Sequence, residues 1–379
     1  MNKPERILII HLDAIGDVLR STPLIAALRR HLPEAYLGYL TESRCATLLE
    51  GNKALNRVFV LHRKRFKKKV REGRSPFLKI LKEELYALVR QLRQESFDLV
   101  VNLHYSEISA IIAYLVGAKL VLGMALNKWG NYVVHGRDAR EVYNTIYQPQ
   151  ELRQQNRQHL VDLYLKVVRP LGVQTYQSKL EVPLRDEDME FATDFTASQG
   201  ISENELLIGF QPGAGWAAKR WLPERFARLG DLAVNKYGAR ILITGAREEA
   251  DTVVAEVVKR METKPVISTD QTDLRRVGAL IKKCRLFVST DSGPMHISAA
   301  VNTPTIGLFG GTFPFESRPY GKGHLVIVEE RMDKIELEEV ARALDIQLRL
   351  TGYLPNTLTD QELAYLKDHS RQRGILLFA

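Results

Sequence analysis

The sequence predicts an α/β protein built from two Rossmann-like domains, each with a parallel sheet, facing a central cleft. Three observations lead there. Short apolar runs alternate with helical patterns along all 379 residues, as strands buried on both faces between crossover helices do. The alternation halts at the charged, turn-prone stretch Pro183-Leu184-Arg185-Asp186-Glu187-Asp188 and then restarts. A chain of this length is also too long for one ordinary core and comfortable for two. The expected division is 1–183, 184–345, and a helical C-terminal segment, 346–379, packing back on the first domain.

In order, Arg6 to Leu12 reads as a strand, and Gly16 to His31 as helix, with Pro23 starting a second segment after Ser21-Thr22. Tyr36 to Leu40, Arg57 to Leu61, Leu99 to Leu103 and Lys119 to Leu122 read as further strands. Ile108 to Leu126 is the one stretch long enough to suggest a membrane span, but Lys119 and two glycines interrupt it, so a buried helix followed by a strand is expected. In the second half, Leu206 to Gln211, Arg240 to Thr244, Leu286 to Ser289 and Thr305 to Phe309 are strands. Pro223 to Tyr237 is an amphipathic helix with Gly238 at its C-cap, and helical segments begin near Lys334.

Hydrophobic residues at 45% and charged residues at 26% are globular proportions. Cys45 and Cys284 are the only cysteines. They give neither a disulfide framework nor a clustered metal site and suit a reducing compartment. The N-terminus lacks the pattern of a signal peptide. The net charge of +9 is concentrated: Arg63, Lys64, Arg65, Lys67, Lys68, Lys69, Arg71 and Arg74 stand against the single acid Glu72. A basic segment of that density is either a solvated loop or the contact for an anionic partner, whether phosphorylated glycolipid, membrane surface or nucleic acid.

Ligands of such sheets bind beyond the carboxyl ends of the strands, so the loops after the strands carry the candidates. After the first strand comes Asp13-Ala14-Ile15-Gly16-Asp17. It lacks the GxGxxG dinucleotide fingerprint, and Asp17 is either a helix-start carboxylate or a general base. Gly213, Gly215 and Lys219 lie in Gln211-Pro212-Gly213-Ala214-Gly215-Trp216-Ala217-Ala218-Lys219. Glycines there let backbone approach a ligand, and a lysine neutralises a diphosphate as a point charge. Trp221 reads as packing. Thr244-Gly245-Ala246-Arg247-Glu248-Glu249 offers an acid suited to ribose hydroxyls. Ser289-Thr290-Asp291-Ser292-Gly293-Pro294-Met295-His296 runs from a strand end into a helix start, where free N–H groups bind anions. Phe309-Gly310-Gly311-Thr312 is another glycine-rich strand end. Asp186 and Asp188 form a DxD, but they fall in a charged junction at a helix start, and no metal site is expected.

Three blocks, IGDVLRSTP, PGAGWAAKRWLPERF and STDSGPMHISAA with PTIGLFGGT, resemble those of the ADP-heptose:lipopolysaccharide heptosyltransferases, glycosyltransferase family 9. They occur in the family's order and cover both halves of the chain. The resemblance implies a GT-B type fold, with the first domain binding acceptor and the second binding nucleotide sugar. It also implies an inverting, metal-independent heptose transfer from ADP-heptose to the lipopolysaccharide inner core, with no cofactor. Asp17 takes the place of the catalytic base, and burial is expected to raise its pKa toward working pH. Lys219 takes the place of the donor-site lysine, and Glu248 that of the ribose acid, with Glu249 possible by a one-residue shift. Thr272, Asp291, Ser292, Gly293 and His296, together with Gly213 and Gly215, complete the implied donor site. Ser292 stands where the family has threonine, and Gly215 falls where members often carry a hydroxyl. Arg63, Lys64, Arg65, Lys67, Lys68 and Lys69 fall near a family loop that meets acceptor phosphates. The implied acceptor is a lipid A–Kdo-type glycolipid, met by a cytoplasmic protein peripheral to the inner membrane.

Rival readings are a transferase or epimerase of the same fold using a UDP- or GDP-sugar, and a nucleic-acid-binding protein using residues 63–74. Phe66 is the only aromatic residue there, and stacking partners for bases are otherwise missing. No nucleic-acid partner is expected.

Overall fold

The computed structural model describes residues 3–62, 77–126, 129, 132–146, 158–174, 179–269, 272–355, 358–368 and 373–378. The chain divides into two compact units, Met1–Ser178 and Lys179–Ala379. The first unit thus closes a few residues before the expected junction.

In the first unit, β1 (Arg6–Ile10), β2 (Tyr36–Glu42), β3 (Arg57–Leu61), β4 (Leu99–Asn102), β5 (Leu120–Leu126) and β6 (Tyr132–His135) form one sheet in the order β3-β2-β1-β4-β5-β6. The pairs are parallel except β5 with β6. Ile7 of β1 lies between Leu37 and Leu99. Ile7, Leu8, Ile9 and Ile10 are all fully buried, on both faces of the sheet. Each contributes about 1.5–3 kcal/mol of apolar burial. The helices are α1 (Ile15–Arg20), α2 (Thr22–His31), α3 (Ser43–Ala46), α4 (Phe77–Gln94), α5 (Glu107–Val116), α6 (Arg137–Ile146) and α7 (Leu160–Val167). The break between α1 and α2 falls at Ser21, with Pro23 in the first turn of α2, where its missing N–H costs nothing. Ser106 caps α5, accepting from Ser109 N at 3.3 Å, and Gly117 at φ +77° ends it before β5. The expected helix-then-strand therefore forms, and among the described residues no helix is long and apolar enough to cross a membrane.

The second unit carries β7 (Leu207–Gln211), β8 (Arg240–Ile243), β9 (Val266–Ile267), β10 (Leu286–Thr290), β11 (Thr305–Gly310), β12 (His324–Glu329) and β13 (Gly374–Phe378), in the order β13-β12-β11-β10-β7-β8-β9. All neighbours are parallel except β12 with β13. Its longer helices are α8 (Asp186–Ser198), α9 (Pro223–Tyr237), α10 (Ala255–Arg260), α11 (Leu274–Lys283), α12 (Gly293–Ala300), α13 (Leu337–Leu350) and α14 (Asp360–Lys367). Ile208, Phe210, Val288, Ile306 and Ile327 of the strands build the core against Phe226, Leu229, Val340 and Leu344 of the helices. Trp221 is fully buried and donates its Nε1–H to Ile335 O at 2.8 Å, so its role is packing.

The expected helical tail needs correction. Residues 346–379 hold the end of α13, the helix α14 and the strand β13, which extends the second sheet by pairing Phe378 with His324. Asp188 of the DxD is buried, accepts from Arg185 N at 3.0 Å and lies 3.4 Å from Arg275 Nε. It anchors the start of α8.

Candidate active site

Both sheets change winding direction at their first strand. β1 has β2 on one side and β4 on the other, and β7 has β8 and β10. The loops leaving these strands and their neighbours hold the polar residues.

In the first unit, β1 runs into His11-Leu12-Asp13 and then α1, which places Asp17 in the first helical turn. Asp17 Oδ1 accepts from Arg20 Nη2 in a direct ion pair and lies 3.4 Å from the Tyr164 hydroxyl of α7. Among the described residues, Asp17 Oδ2 receives a long contact from Ala14 N, also 3.4 Å, and nothing closer. The Tyr164 hydroxyl is 3.2 Å from His11 Nε2. His104, just past β4, stacks edge-on against His11 with centroids 5.2 Å apart and brings Nε2 to 3.6 Å from Asp13 Oδ1. Arg44 of α3 donates to Asp13 Oδ2 at 3.0 Å. A cluster of two acids, two arginines, two histidines and a tyrosine thus gathers at one sheet edge.

Its electrostatics reverse one expectation. Burial alone pushes the Asp17 carboxyl up, but the Arg20 guanidinium, then His11 and the Ala14 N–H, outweigh it and hold the carboxyl well below the ordinary carboxylate range. Its side chain keeps 30% exposure, so solvent screens part of this attraction. Asp17 is therefore ionised throughout the neutral range. Burial, opposed by Asp17, lowers His11 to about 4, so its imidazole is neutral.

In the second unit, three loops are tied together. Lys219 Nζ donates to Asp291 Oδ2 at 2.6 Å, joining the loop after β7 to that after β10. Thr290 Oγ1 donates to Gly213 O at 2.7 Å across the same gap. Gln211 Nε2 reaches Gly213 O at 3.3 Å and Glu249 Oε2 at 3.1 Å, while Thr244 Oγ1 donates to Gln211 Oε1 at 2.8 Å. A Cβ on Gly213 would come within 2.2 Å of the Glu249 carboxyl, so any side chain there would push that carboxyl out of its contact with the loop. Gly215, by contrast, faces open space.

Of the two candidate acids, the structure brings Glu249 against Gly213, whereas Glu248 is exposed. Glu249 also accepts from Ala246 N at 3.0 Å, bracing the turn after β8. Ser292 is the N-cap residue of α12 with no side-chain cap bond, which leaves first-turn N–H groups for an anion. Gly293 opens that helix, and His296 is buried in its first turn. Trp216 is exposed, with its ring centroid 5.9 Å from Lys219 Nζ. Thr272 bonds within its own loop, to Ser268 O at 3.2 Å, beside the α11 N-cap Asp273. Arg63, Lys64, Arg65, Lys67, Lys68 and Lys69 lie outside the described residues.

Sequence reasoning did not single out Arg20, Tyr164, His104, Gln211 or Thr290. His104 was within reach, because it follows the strand beside β1 at the winding reversal. Tyr164 was not, since it arrives from a helix 147 residues beyond Asp17.

A model of glycosyltransferase family 9 (heptosyltransferase) matches residues 85–346. Lipopolysaccharide heptosyltransferase 3 of Escherichia coli is 26% identical over 360 residues, 92% of this chain and 99% of that protein. The crystal structure of the glycosyl transferase family 9 from Veillonella parvula superposes with a TM-score of 0.76 at 25% identity, over 91% of this chain and 97% of that one. Escherichia coli heptosyltransferase WaaC, solved with ADP, has the same fold, with a TM-score of 0.68 at 19% identity over 90% and 99% of the two chains.

Proposed function

Because the chain belongs to glycosyltransferase family 9, the heptosyltransferases, we propose that it transfers a heptose from ADP-heptose to the inner core of a lipopolysaccharide precursor. The observation that carries this reading is the joined loop set of the second unit. Lys219, paired with Asp291 beside the uncapped start of α12, forms a diphosphate site, with positive charge on one side and helix N–H groups on the other. Both would stabilise charge building on the leaving ADP. Gly213, Gly215, Ser292, Gly293, His296 and Thr272 line the donor side. The exposed Glu248 serves the ribose, and Glu249 holds the loop.

Asp17 of the first unit acts as base. The acceptor hydroxyl attacks the anomeric carbon as the bond to ADP breaks, which inverts the configuration, and its proton passes to Asp17. A carboxylate held at low pKa suits a transfer in which the proton leaves late. The attacking oxygen becomes strongly acidic only as its new bond forms, so a weak base suffices. No metal takes part in this scheme. The basic segment 63–74 meets anionic groups of a lipid A–Kdo-type acceptor at the cytoplasmic face of the inner membrane, and the protein is peripheral to that surface.

The test is a set of thermal melts with ADP, UDP, GDP, NAD and a short oligonucleotide, each with EDTA. A ligand at about a hundred times its dissociation constant adds about 2.7 kcal/mol, a shift of a few degrees. ADP alone is expected to stabilise, and Asp17→Asn to keep that shift while losing transfer. Stabilisation by UDP or GDP instead, or normal turnover by Asp17→Asn, would falsify the donor or the base assignment respectively.

A further inference from the structure

The carboxylate at Asp17 is held by more than its own helix. Arg20 sits one turn on, with its side chain only 8% exposed, and sends Nη2 to Oδ1. A guanidinium taken that far out of water is costly unless it is paired. The hydroxyl of Tyr164 approaches the same oxygen from α7. Oδ2 has only the long contact from Ala14 N among the described residues. The two oxygens are therefore unequal: one is occupied, and the other is left for a proton.

We propose that Arg20 is the positioning residue of the catalytic base: it clamps Oδ1, keeps the carboxylate ionised and leaves Oδ2 as the atom that takes the acceptor proton. This rests on the transferase reading above. In the step, the acceptor O–H proton goes to Asp17 Oδ2 while the hydroxyl oxygen forms a bond to the anomeric carbon. The anomeric carbon's bond to the diphosphate oxygen breaks, and its electron pair leaves with ADP. The guanidinium does not touch either substrate.

The groups facing Asp17 are named by the same geometry. Arg20 and Ala14 N come from α1 and its lead-in, His11 from the end of β1 and Tyr164 from α7; Tyr39 of β2 and Cys45 of α3 also feel the carboxylate's charge, and Asp13, His104 and Arg44 lie one contact further out. His11 is neutral above about pH 4. Arg20 is thus the only fixed positive charge in direct contact with the carboxylate among the described residues.

The experiment compares pH profiles of kcat for the wild type, Arg20→Gln and Arg20→Lys, with the ADP dissociation constant measured alongside. Removing an adjacent opposite charge raises a carboxyl pKa by about 1–3 units. Arg20→Gln should therefore move the acid limb of kcat up by about that much and lower kcat, with ADP affinity within about twofold. Arg20→Lys should return the limb to its wild-type place. A limb that stays put in Arg20→Gln, or a loss confined to ADP affinity, overturns the assignment.

Should Arg20→Gln fail to fold, the carbon-13 carboxyl titration of Asp17 in the wild type decides alone, with the signal identified by its loss in Asp17→Asn. A midpoint at or above the ordinary value of about 3.9 rejects the clamp, and a midpoint well below it supports it. The two levels separate cleanly. An Asp17→Asn enzyme that transfers normally removes the base itself, whereas a dead Asp17→Asn beside an unmoved Arg20→Gln limb removes only the role of Arg20.

Discussion

The pairing of Lys219 with Asp291 bears on the proposed donor site. Under the proposed donor site, a diphosphate at Lys219 would meet an ammonium already paired with a carboxylate 2.6 Å away, so it would compete with Asp291 and gain less than from a free lysine. The pair also keeps Asp291 tolerable where it is, at 8% exposure, because a buried carboxylate without a partner is expensive. If Lys219 holds the donor diphosphate as proposed, Lys219→Ala has two effects: it removes that contact and leaves Asp291 exposed to desolvation alone. Hydrogen bonds to charged groups contribute about 1.5–3 kcal/mol, which at 1.4 kcal/mol per decade predicts ADP binding weaker by about tenfold to a hundredfold. Calorimetry of ADP against Lys219→Ala and the double variant Lys219→Ala/Asp291→Asn checks this. Part of the stability lost by the single variant should return in the double variant, while the ADP affinity should not. At this scale the sequence showed residue types well and partnerships badly. Asp17, Lys219 and Asp291 stand in recognisable blocks, but the hydrogen bond that ties Gly213 to Thr290, 77 residues away, has no local signature. The depressed pKa of Asp17 was equally hidden, because burial and the Arg20 charge push in opposite directions and only geometry decides which prevails.

At the scale of elements, legibility followed burial. The central strands β1, β4, β7 and β10 have apolar side chains on both faces and announce themselves as continuous runs. The edges did not. β6 and β13 join antiparallel at the two ends of their sheets, and β9 is two residues long, so the parallel alternation that identifies the others gives no expectation for them. β12 is different: its core, Leu325-Val326-Ile327-Val328, is an apolar run with three β-branched residues whose signal lies plainly in the sequence, although the strands expected from it end at Phe309. The segment ahead of α4 carries the densest charge of the chain, eight basic residues against one acid between Arg63 and Arg74. If it meets acceptor phosphate, the contact is long-range Coulombic and weakens as salt shortens the Debye length from about 10 Å at 0.1 M to about 3 Å at 1 M. Replacing Lys67, Lys68 and Lys69 by alanine should raise the KM for a phosphorylated acceptor, flatten its salt dependence and leave ADP binding unchanged. Equal KM values for phosphorylated and dephosphorylated acceptors, in the wild type and the variant alike, remove the role.

At the scale of the whole molecule, each unit buries a histidine in its neutral form, and together these set an acid limit. His11 of the first unit is lowered to about 4 by burial, against the raising effect of Asp17, with His104, Arg20 and Asp13 also facing it. His324 of the second unit is lowered to about 4 by burial and by Arg318. Both fall below the unfolded value of about 6.5, so between those limits the unfolded chain binds more protons than the folded one. Stability therefore rises with pH across this window and is lost as pH falls from about 6.5 toward 4. A shift of that size amounts to about 3 kcal/mol per histidine at 1.36 kcal/mol per unit. Asp17 acts in a different window. Its folded pKa is depressed, so its stabilising effect is complete above the unfolded value and drains away only at more acid pH. Melting curves between pH 7 and 4 should fall steeply for the wild type. His324→Gln should flatten the part belonging to the second unit while keeping the acid sensitivity set by His11, in a variant whose circular dichroism at pH 7 matches the wild type. A wild-type melting point that stays level through this range means that neither imidazole is held neutral by the fold, and the acid limit then belongs to the carboxylates alone.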